Sequence, residues 1–157
     1  LNALIAENAG QAKDFWALRE RVPGAHKTEG AQVNHDISVP VSRTPAFLEG
    51  ANAAMETLCP GVRIVAFGHM GDGNFHYTAM QPAGSDPAVF PAAALSAKVH
   101  EIAVALEGSI SAEHGIGVAR REELGRFKDA ESLALMATLK RALDPERIMN
   151  PRALITP

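Results

Sequence analysis

Two histidines bracket a run rich in Gly, Asp and Asn, Gly68-His69-Met70-Gly71-Asp72-Gly73-Asn74-Phe75-His76, and a second polar cluster follows at Ser111-Ala112-Glu113-His114-Gly115-Ile116-Gly117. Imidazole nitrogens and carboxylate oxygens are ligands for a small divalent ion, and two histidines with one carboxylate leave positions open for substrate oxygens. The segment between the histidines is turn chemistry: Gly71 and Gly73 permit positive φ, while Asp72 and Asn74 can bond nearby backbone amides. Residues 62–67 and 75–80 read as strands, so the run predicts a hairpin. If it closes symmetrically, His69 faces His76, with Cβ atoms roughly 4.5–5.5 Å apart on one face of the sheet. Glu113 could then supply the carboxylate, and His114 could serve as a general base, a role to which imidazole side chains are suited. The same residues also read as a Gly-rich hairpin with incidental histidines and a helix-entry loop with a solvated Glu-His pair. Spacing does not choose between these readings.

The elements that must position these groups follow from periodicity. Ala12, Phe15, Trp16 and Arg19 fall at helical spacing and predict a helix over 12–21 that stops before Pro23-Gly24. Arg19 could clamp a substrate carboxylate in a bidentate fork or be an ordinary exposed helix arginine. Residues 35–40, His-Asp-Ile-Ser-Val-Pro, alternate polar with apolar and form the first strand; Asn34 and His35 read as its solvated entry. Thr44 can cap a helix with Pro45 at its first position, and Phe47, Leu48, Ala51, Met55 and Leu58 carry its apolar face as far as Pro60-Gly61. A helix over 88–106 follows the hairpin, with Val89 on its core side, then a short fourth strand over 109–111 and helices over 118–127 and 130–143. The order β-α-β-β-α-β predicts an α+β fold on the ferredoxin-like plan: an antiparallel sheet with helices packed on one face, plus additional C-terminal helices. In that plan the end of the fourth strand lies away from the hairpin turn, so topology alone does not carry Glu113 to His69 and His76.

Bulk properties fit one domain over 1–157. The chain has 46% hydrophobic and 21% charged residues and a net charge of -3, without runs of either sign. Such a balance gives no electrostatic footprint for nucleic acid. No stretch approaches the ~18 apolar residues of a membrane helix. The single cysteine, Cys59, cannot form an internal disulfide and reads as a buried thiol in a reducing, cytoplasmic setting. The chain opens on Leu1 and reads as a fragment. Dinucleotide Gly fingerprints, serine nucleophile elbows and Cys-x-x-Cys pairs are absent.

Three ordered motifs, Gly68 through His76, Ser111 through Gly117, and Leu143-Asp144-Pro145 through Met149-Asn150-Pro151, together resemble the C-terminal domain of FAD-linked oxidases. That family includes D-lactate dehydrogenases, the glycolate oxidase catalytic subunit and D-2-hydroxyglutarate dehydrogenase. The resemblance implies a larger flavoprotein whose N-terminal part binds FAD, with this domain capping the flavin. It further implies that His69, His76 and Glu113 hold a divalent metal, commonly zinc, and that His114 takes the hydroxyl proton of a D-2-hydroxy acid. Asn74 and Arg19 match substrate-binding residues, and Asn150 falls where the family's tail approaches the flavin. The expected partners are the protein's own N-terminal FAD-binding domain, a small 2-hydroxy acid, an electron acceptor and a second copy in a homodimer. The chain departs from hydroxyglutarate enzymes at Pro23 and Asn34, where they carry Thr and Lys, and reads Asn150-Pro151-Arg152-Ala153 where many members have Asn-Pro-Gly-Lys. Taken without the resemblance, the motifs would also suit a stand-alone ferredoxin-like metal- or metabolite-binding module, or a metal-dependent hydrolase using an activated water.

Overall fold

The computed structural model describes residues 3–26, 28–69 and 71–155. It divides into two compact units, residues 1–31 and 32–157. The first unit holds one helix, α1 (Ala9–Ala25), longer at both ends than its apolar spacing predicts. Asn8 caps it by accepting the Gln11 N–H at 3.0 Å. Pro23 lies inside α1 rather than beyond it. Near a C-terminus its missing N–H forfeits a single helical bond while its φ still fits the helix, so α1 ends only two residues later.

The second unit is built on three antiparallel strands, β1 (Gln32–Ser38), β2 (Arg63–His69) and β3 (Asn74–Met80), in the order β1-β3-β2. Ile37 pairs with Phe75 and His35 with Tyr77 across β1 and β3. Because successive side chains alternate in direction, Ile37, Phe75, Tyr77 and Ala79 share one face. There they form the core with Phe47, Ala51 and Met55 of α2 (Thr44–Leu58) and with Leu95, Val99 and Ala103 of α3 (Ala92–Ala105). The Phe47 ring lies 5.8 Å from Phe75 and 5.6 Å, edge-on, from Tyr77, whose hydroxyl donates to Asn52 Oδ1 at 2.8 Å. Each large apolar side chain buried in this way contributes roughly 1.5–3 kcal/mol, enough to commit this face of the sheet to the helices. The fold is thus α+β, with an antiparallel sheet and helices against it, followed by α4 (Arg121–Phe127) and α5 (Ala130–Leu143). No described helix is long and apolar enough to cross a membrane.

Several elements differ from their sequence reading. The fourth strand is reduced to a single bridge at the outer edge of β1, where Ser38 and Ser109 exchange N–H···O bonds of 3.1 and 2.8 Å. It sits where the ferredoxin-like plan puts a fourth strand. Beyond the bridge the Ser109 hydroxyl bonds the Ser111 carbonyl at 2.8 Å, and the regular ladder is not continued. Thr44 is the first residue of α2 rather than its cap: Arg43 occupies the cap position without a side-chain bond. The helix expected over 88–106 is interrupted. Pro87–Val89 forms a 3-10 turn, and Phe90, directly before Pro91, is extended with φ -69° and ψ 119°. A residue preceding proline is driven out of the helical region, so α3 begins at Ala92 and leaves Val89 exposed.

Beneath the helices the core holds a buried histidine. His35 Nδ1 donates to the Tyr77 carbonyl at 2.8 Å, and its ring meets His100 edge-on at 5.3 Å. His100 Nδ1 in turn lies 2.7 Å from Glu123 Oε1 of α4. Burial pushes the His35 pKa down to about 4; the Tyr77 hydrogen bond opposes this, and the nearby charges of His100 and Arg120 add to it. A histidine held neutral in the fold takes up its proton more readily when unfolded, so its share of stability is complete above about pH 6.5 and is lost as pH falls toward 4. Between pH 7 and 4.5, denaturant unfolding of the wild type should lose roughly 2 kcal/mol more than His35→Phe, a difference that denaturation at both pH values measures directly.

Candidate active site

The face of the sheet turned away from α2 and α3 carries the polar residues. On it, β3 presents Asn74, His76 and Thr78, while β1 sets Asp36 directly opposite His76. On the other flank Phe67 of β2 opposes His76, the two rings 5.1 Å apart. The hairpin closes one pair tighter than the symmetric reading: His69 pairs with Asn74, not with His76. The His69 carbonyl accepts the N–H groups of Asp72 at 3.3 Å and Gly73 at 3.1 Å, and Asp72 Oδ1 accepts the Asn74 N–H at 3.0 Å. Gly73 is essential to this closure, with φ at 72° and a position where any Cβ would stand 1.9 Å from the Val39 carbonyl. Because strand partners alternate in twos, His69 keeps the same face as His76 but lies diagonally from it, exposed at the turn.

The second cluster reaches this face by crossing β1. After the Ser38–Ser109 bridge, the Ala112 N–H donates to the Asp36 carbonyl at 3.1 Å. The Asp36 side chain then accepts the N–H groups of Glu113 at 3.0 Å and His114 at 2.8 Å, both on Oδ2. Glu113 Oε1 comes to 3.0 Å from His76 Nε2 and 3.9 Å from His114 Nε2, and the His76 and His114 rings lie 5.6 Å apart. Among the described residues, Asp36, His76, Glu113 and His114 each offer one ligand atom, all within 4.8 Å of one another. The cluster is graded in exposure, the side chains being 2% accessible at Asp36, 22% at His76, 47% at Glu113 and 61% at His114. Burial raises the Asp36 carboxyl's affinity for a proton, but the His114 and Glu113 N–H groups, with the charges of His114 and Arg120, outweigh it and hold its pKa below the usual value.

This donor set fits a divalent ion such as zinc: it mixes imidazole nitrogen with carboxylate oxygen on one open surface. Two buried oxygens beneath it, Asp36 Oδ1 and Asn74 Oδ1, find no hydrogen-bond partner among the described residues. The structure thus brings together His76, Glu113 and His114 of the expected residues, with Asn74 on the same face; His69, expected as a ligand, shares the face but is not among the grouped ligand atoms. Asn34, also on this face, accepts the Thr78 hydroxyl at 2.8 Å. Arg19 belongs to α1 in the separate first unit, and Asn150 lies in an exposed turn after α5 with φ 46°. Asp36 is the member that the residue pattern did not reveal. Its only signal is an acidic side chain inside the alternating His-Asp-Ile-Ser-Val run, and its place opposite His76 depends on a strand pairing that spacing does not supply.

The sequence model of the family described as FAD linked oxidases, C-terminal domain, matches residues 1–154. The chain belongs to that family. Its curated relatives include D-2-hydroxyglutarate dehydrogenase from Xanthomonas citri pv. viticola, 36% identical over 155 residues, which cover 98% of this chain and 33% of the relative. The mitochondrial D-2-hydroxyglutarate dehydrogenases of Bos taurus and Danio rerio are 37% and 36% identical over 152 and 147 residues, covering 96% and 94% of this chain and 27% of each relative. This FAD-linked oxidase C-terminal domain therefore spans between a quarter and a third of the length of the relatives it matches. Both motif runs, and the whole cluster, lie inside the shared region.

Gly108 makes the crossing possible, since a Cβ there would lie 2.2 Å from the Ser38 carbonyl. Gly108→Ala should separate residues 109–114 from the edge of β1, lowering stability by about 1–3 kcal/mol and loosening Glu113 and His114. Thermal unfolding together with hydrogen exchange of that segment would report both effects.

Proposed function

We propose that this chain forms the substrate and metal side of an FAD-dependent oxidoreductase that converts a D-2-hydroxy acid to a 2-oxo acid, joined as a single domain to an FAD-binding domain outside it. The observation that carries the reading is the convergence of His76, Glu113 and His114 on one open face, in a chain of the FAD-linked oxidase family. His76 and Glu113 would hold the metal with His69, which lies on the same face, paired with Asn74 at the hairpin turn. A metal held there would supply polarisation of the substrate hydroxyl, and FAD a hydride acceptor for the α-carbon. His114 receives the hydroxyl proton as the carbon–oxygen double bond forms. Its Nδ1 faces Asp36 Oδ2 at 3.5 Å, which leaves Nε2 to act as the base. Asn74 and Arg19 would bind substrate, and Asn150 would approach the flavin. Lactate, glycolate and 2-hydroxyglutarate are the substrate types this chemistry would serve; relatives named for D-2-hydroxyglutarate point to the last, and Pro23 and Asn34, in place of Thr and Lys for a second carboxylate, point away from it. We further read the protein as a cytoplasmic homodimer passing electrons to a separate acceptor. The Danio rerio and Bos taurus relatives carry mitochondrial in their names.

Titration of zinc and manganese into the intact protein tests the assignment. His69→Ala, His76→Ala and Glu113→Ala should each weaken metal binding at least tenfold, the scale expected when a ligand or its immediate support is lost. His114→Ala should keep metal affinity while kcat falls about 10²–10⁴-fold, the usual contribution of a general base. Unchanged metal affinity in the three ligand variants, or an intact protein that purifies without flavin absorbance, would rule the reading out.

A further inference from the structure

We propose that Asp36 is the positioning residue of this site: its carboxylate sets Glu113 and His114 in place through their main-chain amides and is not itself a metal ligand. The proposal rests on the metal and base roles given above to Glu113 and His114. Between α3 and α4 the chain has no helix and no strand beyond the single bridge at Ser109, and glycines with positive φ follow at Gly115 and Gly117. Such a segment has no intrinsic preference for one path. What ties it to the sheet at the site is a set of bonds converging on one residue. The Asp36 carbonyl accepts the Ala112 N–H at 3.1 Å, and Oδ2 accepts Glu113 N–H at 3.0 Å, His114 N–H at 2.8 Å and, more weakly, the Ser111 hydroxyl at 3.4 Å.

Two further facts favour a clamp over a ligand. Oδ2, at 3.5 Å from His114, already accepts two short main-chain bonds, charge-assisted and about twice as strong as neutral ones, and Oδ1, which has no partner among the described residues, is fully enclosed rather than open to the exposed side of the cluster. The side chain is 2% accessible, whereas the other three members of the cluster are 22–61% accessible and face the open side where a substrate can reach them. Asp36 is also fixed independently of the segment it holds, because β1 is paired with β3 through Asp36↔His76. A single carboxylate therefore relates the crossing segment to the strand that carries His76.

Asp36→Ala and Asp36→Asn in the intact protein separate the possibilities. Two quantities are read: hydrogen exchange at the amides of residues 112–116, with 75–79 of β3 as the internal control, and zinc affinity by competition with a chelator. Asp36→Ala should lose protection at 112–116 while β3 stays protected, and bind zinc about 100-fold more weakly, the upper range for loss of a supporting partner. Asn keeps a carbonyl oxygen for both N–H groups without the charge, so Asp36→Asn should retain protection and stay within about tenfold of wild-type zinc affinity. Wild-type exchange at 112–116 in Asp36→Ala overturns the proposal. So does an Asp36→Asn loss of affinity equal to that of Asp36→Ala, which would make the charged carboxylate a ligand. Should Asp36→Ala fail to fold, Asp36→Asn decides alone through both readouts. Should His76→Ala bind zinc like wild type, the metal reading fails and the exchange arm decides whether the clamp exists.

Discussion

The register of β1 against β3 governs both sides of the second unit. With Ile37 opposite Phe75 and His35 opposite Tyr77, one face of the pair meets Phe47 and the helices, and the intervening pair, Asp36 and His76, is forced onto the other. A slip of β1 by one residue would turn its side chains over, placing the Asp36 carboxylate in the core and Ile37 on the face of the site. The buried packing of Ile37, Phe75 and Tyr77 is what forbids that slip. The cluster's geometry is therefore held by hydrophobic contacts on the far side of the sheet, which make no contact with substrate.

That arrangement divides labour between rigid and irregular structure. His76 is carried on the middle strand, bonded on both edges, and inherits its precision. Glu113 and His114 lie in a segment without regular structure, where hydrogen bonds to Asp36 take over the role a strand ladder would have played. A similar device recurs at the end of the chain. Buried Asp144 accepts the Ile148 N–H at 2.9 Å and the Met149 N–H at 3.1 Å while pairing with Lys140 at 2.6 Å, which folds the tail back after α5. In both places a buried aspartate supplies order where helices and strands run out.

The residues themselves point to most of the elements and to three members of the cluster on the polar face, and the shortfalls have physical causes. The hairpin, its turn chemistry and the shared face of His69 and His76 were legible from Gly71, Asp72, Gly73 and Asn74. The pairing was not, because loops of four and six residues place the same residues on the same face and differ only in which are opposed. Asp36 stayed hidden because a strand pattern states which residues alternate, never which residue of another strand they will meet. The fourth strand was overread because Ser109-Ile110-Ser111 has strand-like alternation, yet the Ser109 hydroxyl turns inward to its own chain. Pro91 explains the late start of α3, a local rule that the apolar periodicity across 88–106 concealed.

The gradient of exposure from Asp36 to His114 has a further consequence for turnover. A base that accepts a proton must release it before it can act again, and a buried base needs a chain of groups to carry that proton away. The His114 side chain is 61% accessible in this chain, while its backbone stays anchored to a carboxylate that is almost wholly enclosed. In the role proposed for it, His114 would thus divide position and proton transfer between its two ends: the amide is bonded to Asp36, and the ring lies on the open face where substrate would meet it.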